Sequence, residues 1–349
     1  MISYGPSTAL KYILIDGGRS WTYKHALKRY LSEHCINELE LLVITHVDRD
    51  HIDGMLSMMQ DNTLPLRAKN VWFNTWDHLE GKAIEVASSH DDLESFGAKM
   101  GEEISPLLMS KGWPWNRQFG GAAVKVGTQP EDNVILLGAL RLTLLSPNQE
   151  KLDDLKPAWQ KECQEAGITP GATLKEYVSD EDEDIESFGA VNIDALAAEP
   201  FIEDHSPANG SSIALLLEYG GRKLLLAGDA HADILQTGLQ ALGASAATPI
   251  AVDAFKIPHH GSKFNLSKDL LELLDCRHYL ISTNGNYFKH PDEVAMARLI
   301  KFGTVDSTVH FNYKTKHNLL WKNDAWQLSY RYQVEFPSEE SDGYKTLKF

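Results

Sequence analysis

The feature that most constrains this chain is the segment THVDRDHIDG at residues 45–54, which follows a nearly continuous apolar run. That run, LELLVIT at residues 39–45, has the length and composition of a strand buried on both faces. Four imidazole or carboxylate side chains come directly after it, namely His46, Asp48, Asp50 and His51. Imidazole and carboxylate groups packed this densely beside a buried strand are costly without a cation. The segment therefore predicts a metal site at the end of a strand in a sheet.

The alternative interpretation of this segment is a polar surface loop. Residues 46, 48 and 50 project together only while the chain stays extended. We then expect His51 to turn with the chain toward a second cation, ahead of a helix that starts near Gly54. Three more segments with ligand-type residues at strand ends favour the metal site over the loop.

These three segments supply carboxylate and imidazole groups from distant parts of the chain. LLLAGDA ends a predicted strand with Asp229, a carboxylate suited to bridging two cations, although a Gly-Asp pair alone is often a simple turn. FKIPHHGS places His259 and His260 after another strand. Because adjacent residues of an extended chain point to opposite sides, we expect only one of the two to ligate a given metal. NGNYFKHPDE places His290 before a helix, where the alternative is a surface histidine.

Strand and helix patterns alternate along the chain, which indicates an α/β protein. The Gly220–Gly221 pair predicts a hairpin between two of the strands. Residues 178–188 form an acidic run, most simply a solvated loop. The predicted strands are 12–15, 39–45, two within 134–145, 212–219, 223–227, 254–257, 279–282 and a terminal hairpin at 319–332; the predicted helices are 21–33, 54 onward, 152–167, 266–274 and 292–302.

Composition limits the classes of protein to consider. The chain has 349 residues, 43% of them hydrophobic and 23% charged, as in an ordinary globular enzyme. No apolar run approaches the roughly 18 residues that span a membrane, and the first residues lack a signal-peptide pattern, so we expect a cytoplasmic protein without a membrane partner. Cys35, Cys163 and Cys276 are too few and too scattered for a disulfide framework or a cysteine zinc site. The net charge of −16 opposes a broad grip on nucleic acid.

Taken together, these segments resemble the metallo-β-lactamase superfamily, and most closely its branch related to the competence protein ComEC. That branch carries HxDxDH where the superfamily signature is HxHxDH, as at residues 46–51 here. The resemblance extends over residues 12 to 300 in the same order. The other matching positions are Leu14 to Gly18 (LIDGG), Gly228, Asp229, His259, His260, Gly261, Ser262, Asn286, Tyr287, His290 and Pro291.

The resemblance implies a metallo-β-lactamase fold, an αββα four-layer sandwich of two mixed β-sheets flanked by helices. Residues 1–349 would form a single domain with insertions at about 80–130 and 150–205, and a C-terminal β extension at about 315–349. The superfamily's third histidine ligand has no evident counterpart in this chain. His205 or Asn209 are the candidates to replace it, with Ser211 also nearby, and the sequence leaves the choice open.

The same resemblance implies a dinuclear metal-dependent hydrolase with two divalent ions, zinc or manganese. A bridging hydroxide between cations about 3.5–4 Å apart would be the nucleophile. His46 and Asp48 would hold one ion, and Asp50, His51 and one of His259 or His260 the other, with Asp229 bridging. Asp50 would also orient the nucleophile, and His290 would contact the substrate phosphate or protonate the leaving group. The carboxylate of Asp48 favours harder cations than an imidazole would, which makes manganese a candidate as well as zinc.

By resemblance, the leading substrate is a phosphodiester in DNA, RNA or a nucleotide. Arg49, Lys256, Lys263 and Lys289 supply positive charge beside the motifs, although each alone is an ordinary surface charge. A lactone, a thioester or a small phosphoester is the alternative within enzymes. A non-catalytic partner protein in a multi-protein defence system is the alternative outside enzymes.

Overall fold

The computed structural model describes residues 1–84, 99–165, 191–286, 289–338 and 343–349. Contacts between these residues divide the chain into two compact units. The first unit contains Met1–Gly127, Pro147–Lys175 and Ser206–Ile213, and the second contains Thr128–Ser146, Glu176–His205 and Ala214–Phe349.

The strands of the described residues all belong to one of three sheets. In chain order they are β1 (Ile2–Tyr4), β2 (Lys11–Ile15), β3 (Glu38–Leu39), β4 (Leu41–Val43), β5 (Arg67–Ala68), β6 (Val71–Trp72), β7 (Val134–Leu137), β8 (Leu140–Ser146), β9 (Ala214–Tyr219), β10 (Arg222–Leu226), β11 (Ile250–Lys256), β12 (Leu274–Ile281), β13 (Ser307–Phe311) and β14 (Tyr332–Glu335).

The α-helices of the described residues are mostly short. In chain order they are α1 (Ser20–Thr22), α2 (Lys28–Glu33), α3 (Arg49–Gln60), α4 (Trp76–Leu79), α5 (Lys99–Lys111), α6 (Gln149–Glu165), α7 (Ile193–Ala197), α8 (Pro207–Gly210), α9 (Ala232–Ala241), α10 (Lys268–Glu272), α11 (Glu293–Phe302), α12 (Lys316–Leu319) and α13 (Asp324–Tyr330). A π-helical turn, Tyr23–Leu27, joins α1 to α2, so the predicted helix at 21–33 is present.

The first unit is built on a four-stranded sheet in the order β1-β2-β4-β6. β1 and β2 are antiparallel, whereas β4 is parallel to both β2 and β6. The predicted strand at 39–45 is divided, because Leu39 ends β3, which pairs with β5, while β4 joins the main sheet. Leu14, Leu42, Ile52 and Met55 are fully buried in the core that α3 and this sheet share.

The second unit is built on an eight-stranded sheet in the order β14-β13-β12-β11-β10-β9-β8-β7. Its pairs from β7 to β10 are antiparallel and its pairs from β10 to β14 are parallel. The hairpin between β9 and β10 is confirmed, and it turns at Gly220 and Gly221, whose φ values are +57° and +80°. Both large sheets are mixed, as expected for the α/β class.

The prediction of a terminal hairpin at 319–332 is wrong. The chain forms α12 and α13 there, and β14 is the one strand among the described residues of the expected β extension at 315–349. Asn323 accepts a hydrogen bond from the backbone N–H of Trp326, which caps α13 and favours a helix over a strand. β14 then pairs in parallel with β13, so no hairpin forms.

Two other predictions concern the regions interpreted as insertions. Within 80–130, α5 forms, and Trp113 and Trp115 are buried in the core of the first unit. The indole N–H of Trp115 donates to the carbonyl of Phe73 at 3.0 Å, so these rings support the sheet. The acidic run at 178–188 lies outside the described residues, as does Tyr287.

Among the described residues, no helix is both long enough and apolar enough to cross a membrane.

Candidate functional site

The segment of the first unit that carries the candidate metal ligands is a loop that leads from β4 into α3. Asp48 precedes the helix with an extended backbone, φ −65° and ψ 144°. Asp50 and His51 lie in the first turn of α3, because the helix begins at Arg49 and not near Gly54 as expected. The four candidate ligands of this segment therefore do not lie on one extended strand; two precede the helix and two are inside it.

Two glycines bring the LIDGG turn against the start of α3. The N–H of Gly54 donates to the carbonyl of Gly18 at 2.7 Å, and the N–H of Gly17 donates to the carbonyl of His51 at 2.9 Å. A Cβ atom added at Gly54 would lie 2.1 Å from the carbonyl oxygen of Gly17, so no side chain fits. This close approach fixes the position of His51 on its helix.

Asp16, in the same turn, holds both the loop and His51. Its Oδ1 accepts from the N–H of Thr45 and its Oδ2 from the Thr45 hydroxyl, each at 2.8 Å. The same Oδ2 lies 2.7 Å from Nδ1 of His51. A carboxylate only accepts, so Nδ1 of His51 carries the proton and Nε2 keeps the lone pair that a metal would use. The LIDGG motif contains Asp16, but the sequence does not predict this role.

His46 is held in the same way by hydroxyl groups. Its Nδ1 lies 3.0 Å from the Thr45 hydroxyl and 3.0 Å from the Ser212 hydroxyl. Because Thr45 donates to Asp16, its oxygen is left to accept from Nδ1 of His46. The buried Nε2 of His46 lies 3.5 Å from Oδ2 of Asp48 and makes no hydrogen bond to any described residue. A buried ring nitrogen of this kind fits a metal ligand.

In the second unit, His259 and His260 lie on a left-handed turn. Their φ values are +44° and +54°, and Gly261 follows at +90°. The expectation that an extended chain would point the two rings to opposite sides is therefore wrong. Their Nε2 atoms lie 3.9 Å and 3.8 Å from Oδ2 of Asp229, so both histidines approach this buried carboxylate.

The hydrogen bonds of the two rings assign their protons. Nδ1 of His260 donates to the carbonyl of Ser282 at 2.6 Å. Nδ1 of His259 lies 2.9 Å from Oδ1 of Asn265, whose amide nitrogen donates to Oδ2 of Asp204 at 2.9 Å. The amide orientation is thus set by its acceptors, and His259 also carries its proton on Nδ1. In the neutral form of each ring, Nε2 then has the lone pair that a metal would use.

Asp204 is a carboxylate of this site that the sequence does not single out. Its Oδ2 lies 3.5 Å from Nδ1 of His259, whereas the neighbouring His205, a candidate third histidine, is exposed. Burial lowers the pKa of His259, but the Asp204 carboxylate, the charge of Asp229 and the hydrogen bond to Asn265 outweigh it and raise that pKa to about 9. The other candidate, Asn209, is buried in α8 of the first unit.

His290 is held beside the same histidine turn by Asp292. Nδ1 of His290 lies 3.2 Å from Oδ1 of Asp292, and the His290 and His259 ring centroids are 5.4 Å apart. Oδ2 of Asp292 accepts from the N–H of Lys263 at 2.8 Å, which ties this carboxylate to the turn. Burial raises the pKa of Asp292, but the hydrogen bond and the charge of His290 outweigh it and lower that pKa.

Arg298, buried in α11, fixes the two loops that carry these groups. Its guanidinium donates to the carbonyls of Lys263 at 2.7 Å and Leu266 at 3.2 Å in the loop after His260. It also donates to the carbonyls of Glu199 and Pro200, each at 3.2 Å, in the loop before Asp204. The planar guanidinium group of Arg298 thus holds the two loops at a fixed distance from each other.

The structure therefore groups the predicted residues in two sets, each described within its own unit. The first set is His46, Asp48, Asp50 and His51; the second is Asp229, His259, His260 and His290. Of the lysines and arginines expected to add positive charge, Lys256 donates to the carbonyl of Ile257 at 2.9 Å, while Arg49 is 51% exposed. Imidazole and carboxylate donors of this type fit a metal cofactor.

Comparisons with known proteins add little to this geometry. No protein-family model and no curated protein matches the chain. Among solved structures, the chain is similar to a protein of Parabacteroides distasonis provisionally named a metal-dependent hydrolase. The TM-score is 0.34 and the identity 11%, over 96% of this chain and 87% of that one. A likeness of this size decides neither the fold nor the activity, so the functional argument rests on the residues.

Proposed function

We propose that this chain is a dinuclear metal-dependent hydrolase of the metallo-β-lactamase superfamily, and that its substrate is a phosphodiester. The proposed ligands are His46, Asp48, Asp50, His51, Asp229, His259 and His260. The observation that carries the proposal is shared by four histidines. In His46, His51, His259 and His260, neighbouring groups hold the proton on Nδ1 and leave the lone pair on Nε2.

The roles of the protein residues follow from their positions. The carboxylate of Asp229, close to Nε2 of both histidines in its unit, is suited to bridging two cations. Asp50 is half-buried in the first turn of α3, and in this proposal it orients a water molecule or ligates a cation. Two divalent cations supply, when bound, activation of water and stabilisation of the developing negative charge.

His290 is the proposed proton donor to the leaving group. Asp292 orients its ring through Nδ1, and Nε2 would be the atom that donates the proton. Support for a phosphodiester, as opposed to a lactone or a thioester, comes from the HxDxDH and PHHGS resemblance alone.

The first experiment is a metal analysis of the purified protein, paired with cleavage assays in added zinc or manganese. The substrates are linear single- and double-stranded DNA, RNA and bis(p-nitrophenyl) phosphate, and the control is Asp50→Ala. Loss of a ligand and water-orienting group should lower kcat by about a hundredfold or more. Activity that is lost in the variant supports the proposal. Two bound metals without cleavage of any of these substrates would indicate a small-molecule substrate. The absence of bound metal would overturn the proposed function.

A further inference from the structure

The beginning of the chain contains a region whose charge is opposite to that of the whole protein. The chain has 49 acidic and 33 basic residues, yet residues 17–32 contain no Asp or Glu. The same stretch contains Arg19, Lys24, Lys28 and Arg29, together with His25. At physiological salt, charges farther than about 8 Å are largely screened, so a bound anion responds to local charge and not to the net charge of −16.

An exposed tryptophan lies in this region. Trp21 is 55% exposed, and it is the only one of the eight tryptophans, all of which are described, that ranks as exposed. The rings of Trp21 and His25 lie 4.6 Å apart between centroids and are inclined by 30°, so the imidazole packs against one face of the indole. Lys24 and His25 are also accessible from solvent.

The cations of this region differ in how much of their charge is compensated. Nζ of Lys28 lies 2.6 Å from Oδ2 of Asp61, and Arg29 lies 4.0 Å from Glu33. Lys24 makes no ion pair with any of the residues that the structure describes. It lines a shallow recess together with Tyr23, Lys28 and Asp61. Because the Asp61 carboxylate is paired with Lys28, the charge of Lys24 is the one that an anion can reach from solvent.

The exposed aromatic surface adjoins the helix that carries Asp50 and His51. The N–H of Ser20 donates to Oδ2 of Asp53 in α3 at 3.0 Å. The same oxygen lies 4.0 Å from Nε of Arg49, whose side chain is 51% exposed. An exposed ion pair at this distance contributes little, so the guanidinium can turn to a phosphate. Arg49 therefore adds a cation where α1, which contains Trp21, contacts α3.

We propose that Trp21, Lys24, His25 and Arg49, here called the Trp21 face, bind single-stranded nucleic acid. An unpaired base would stack on the exposed part of the Trp21–His25 ring pair, while Lys24 and Arg49 would contact the adjacent phosphates. A duplex hides the faces of its bases, and an acidic peptide has no ring to stack, so an unpaired strand fits this face best. The inference rests on the proposed function, and narrows its substrate class to a single-stranded polynucleotide.

Binding is tested without catalysis, on the full chain after removal of metals with EDTA. The probe is a fluorescein-labelled oligothymidylate of about twelve nucleotides, followed by anisotropy at low salt. Trp21→Ala should weaken binding about tenfold or more, Trp21→Phe should retain most of it, and Lys24→Glu should weaken it and reduce its salt dependence. Leu328→Ala and Lys322→Glu, exposed positions in the second unit, are the matched controls.

The result separates this inference from the proposed function. Equal affinity of the native chain and Trp21→Ala, or preference for a duplex or for an acidic peptide over the oligothymidylate, would overturn the assignment of this face. Circular dichroism of each variant checks that the fold is retained. Because the protein is metal-free in this assay, failure of hydrolysis or of metal binding would leave its outcome unchanged.

Discussion

At the scale of single residues, the proton positions of the histidines depend on a small number of acceptors, and Asp204 is the clearest case. It faces Nδ1 of His259 and orients Asn265. Under the proposed function, Asp204→Asn should weaken zinc binding by about tenfold to a hundredfold, because the outer partner of a ligating histidine is altered. Competition with a fluorescent chelator measures this. Asp275→Asn, an exposed strand position of the same unit, should bind zinc as the native chain does.

Single residues also differ in how far the sequence predicts their roles. Ligand types at strand ends identify His46 and Asp229 as candidates from the sequence alone, because few other roles require them there. The backbone of His259 and His260 is different. Pairs of histidines look the same in sequence whether the chain is extended or left-handed, and the contact of Gly261 with Pro291 that accompanies the turn is a long-range one. The role of Asp204 cannot be predicted from the sequence for the same reason, since its partner His259 is 55 residues away.

At the scale of elements, the order of strands and helices is largely predictable, and the boundaries are not. The hairpin of β9 and β10 is predictable because a Gly-Gly turn joins two apolar runs. α3 begins before the apolar periodicity does, because Gly17 and Gly18 donate and accept hydrogen bonds to its first two turns. α12 and α13 resemble strands in sequence, since aromatic residues suit both structures and the caps of these helices are local polar contacts.

The cap of α4 gives a prediction at the element scale. The Thr75 hydroxyl and Nδ1 of His78 are 2.8 Å apart in a capping box. Burial lowers the pKa of His78 to about 4, against the opposing effects of Asp77 and Gly121. The unfolded chain therefore takes up a proton below about pH 6.5, well before the folded chain does. The free energy of unfolding should fall by about 2 kcal/mol between about pH 7 and about pH 5 from this group alone.

His78→Gln keeps a capping-box residue and removes the titration. Urea unfolding of the variant should show a decline between the two pH values that is smaller by about 2 kcal/mol than that of the native chain. His34→Gln, an exposed histidine of the same unit, should leave the decline unchanged. An identical decline in the native chain and in His78→Gln would show that this cap is not the source.

At the scale of the whole molecule, the proposed ligands come from both units. Asp50 belongs to the first and Asp229 to the second. A metal that binds the proposed ligands should stabilise the folded chain by mass action, by about 2.7 kcal/mol when the free metal is at a hundred times its Kd. Calorimetry of the metal-stripped protein, with and without added zinc or manganese, should show this as a higher Tm.

Two variants test whether the proposed ligands Asp50 and Asp229 produce this rise. Asp50→Asn and Asp229→Asn should each remove most of it, because each deletes a charged ligand, while Asp275→Asn should keep it. If either of the two ligand variants keeps the full rise, the residue that it replaces is not a metal ligand. Its proposed role would then be wrong, even if the protein binds metal tightly.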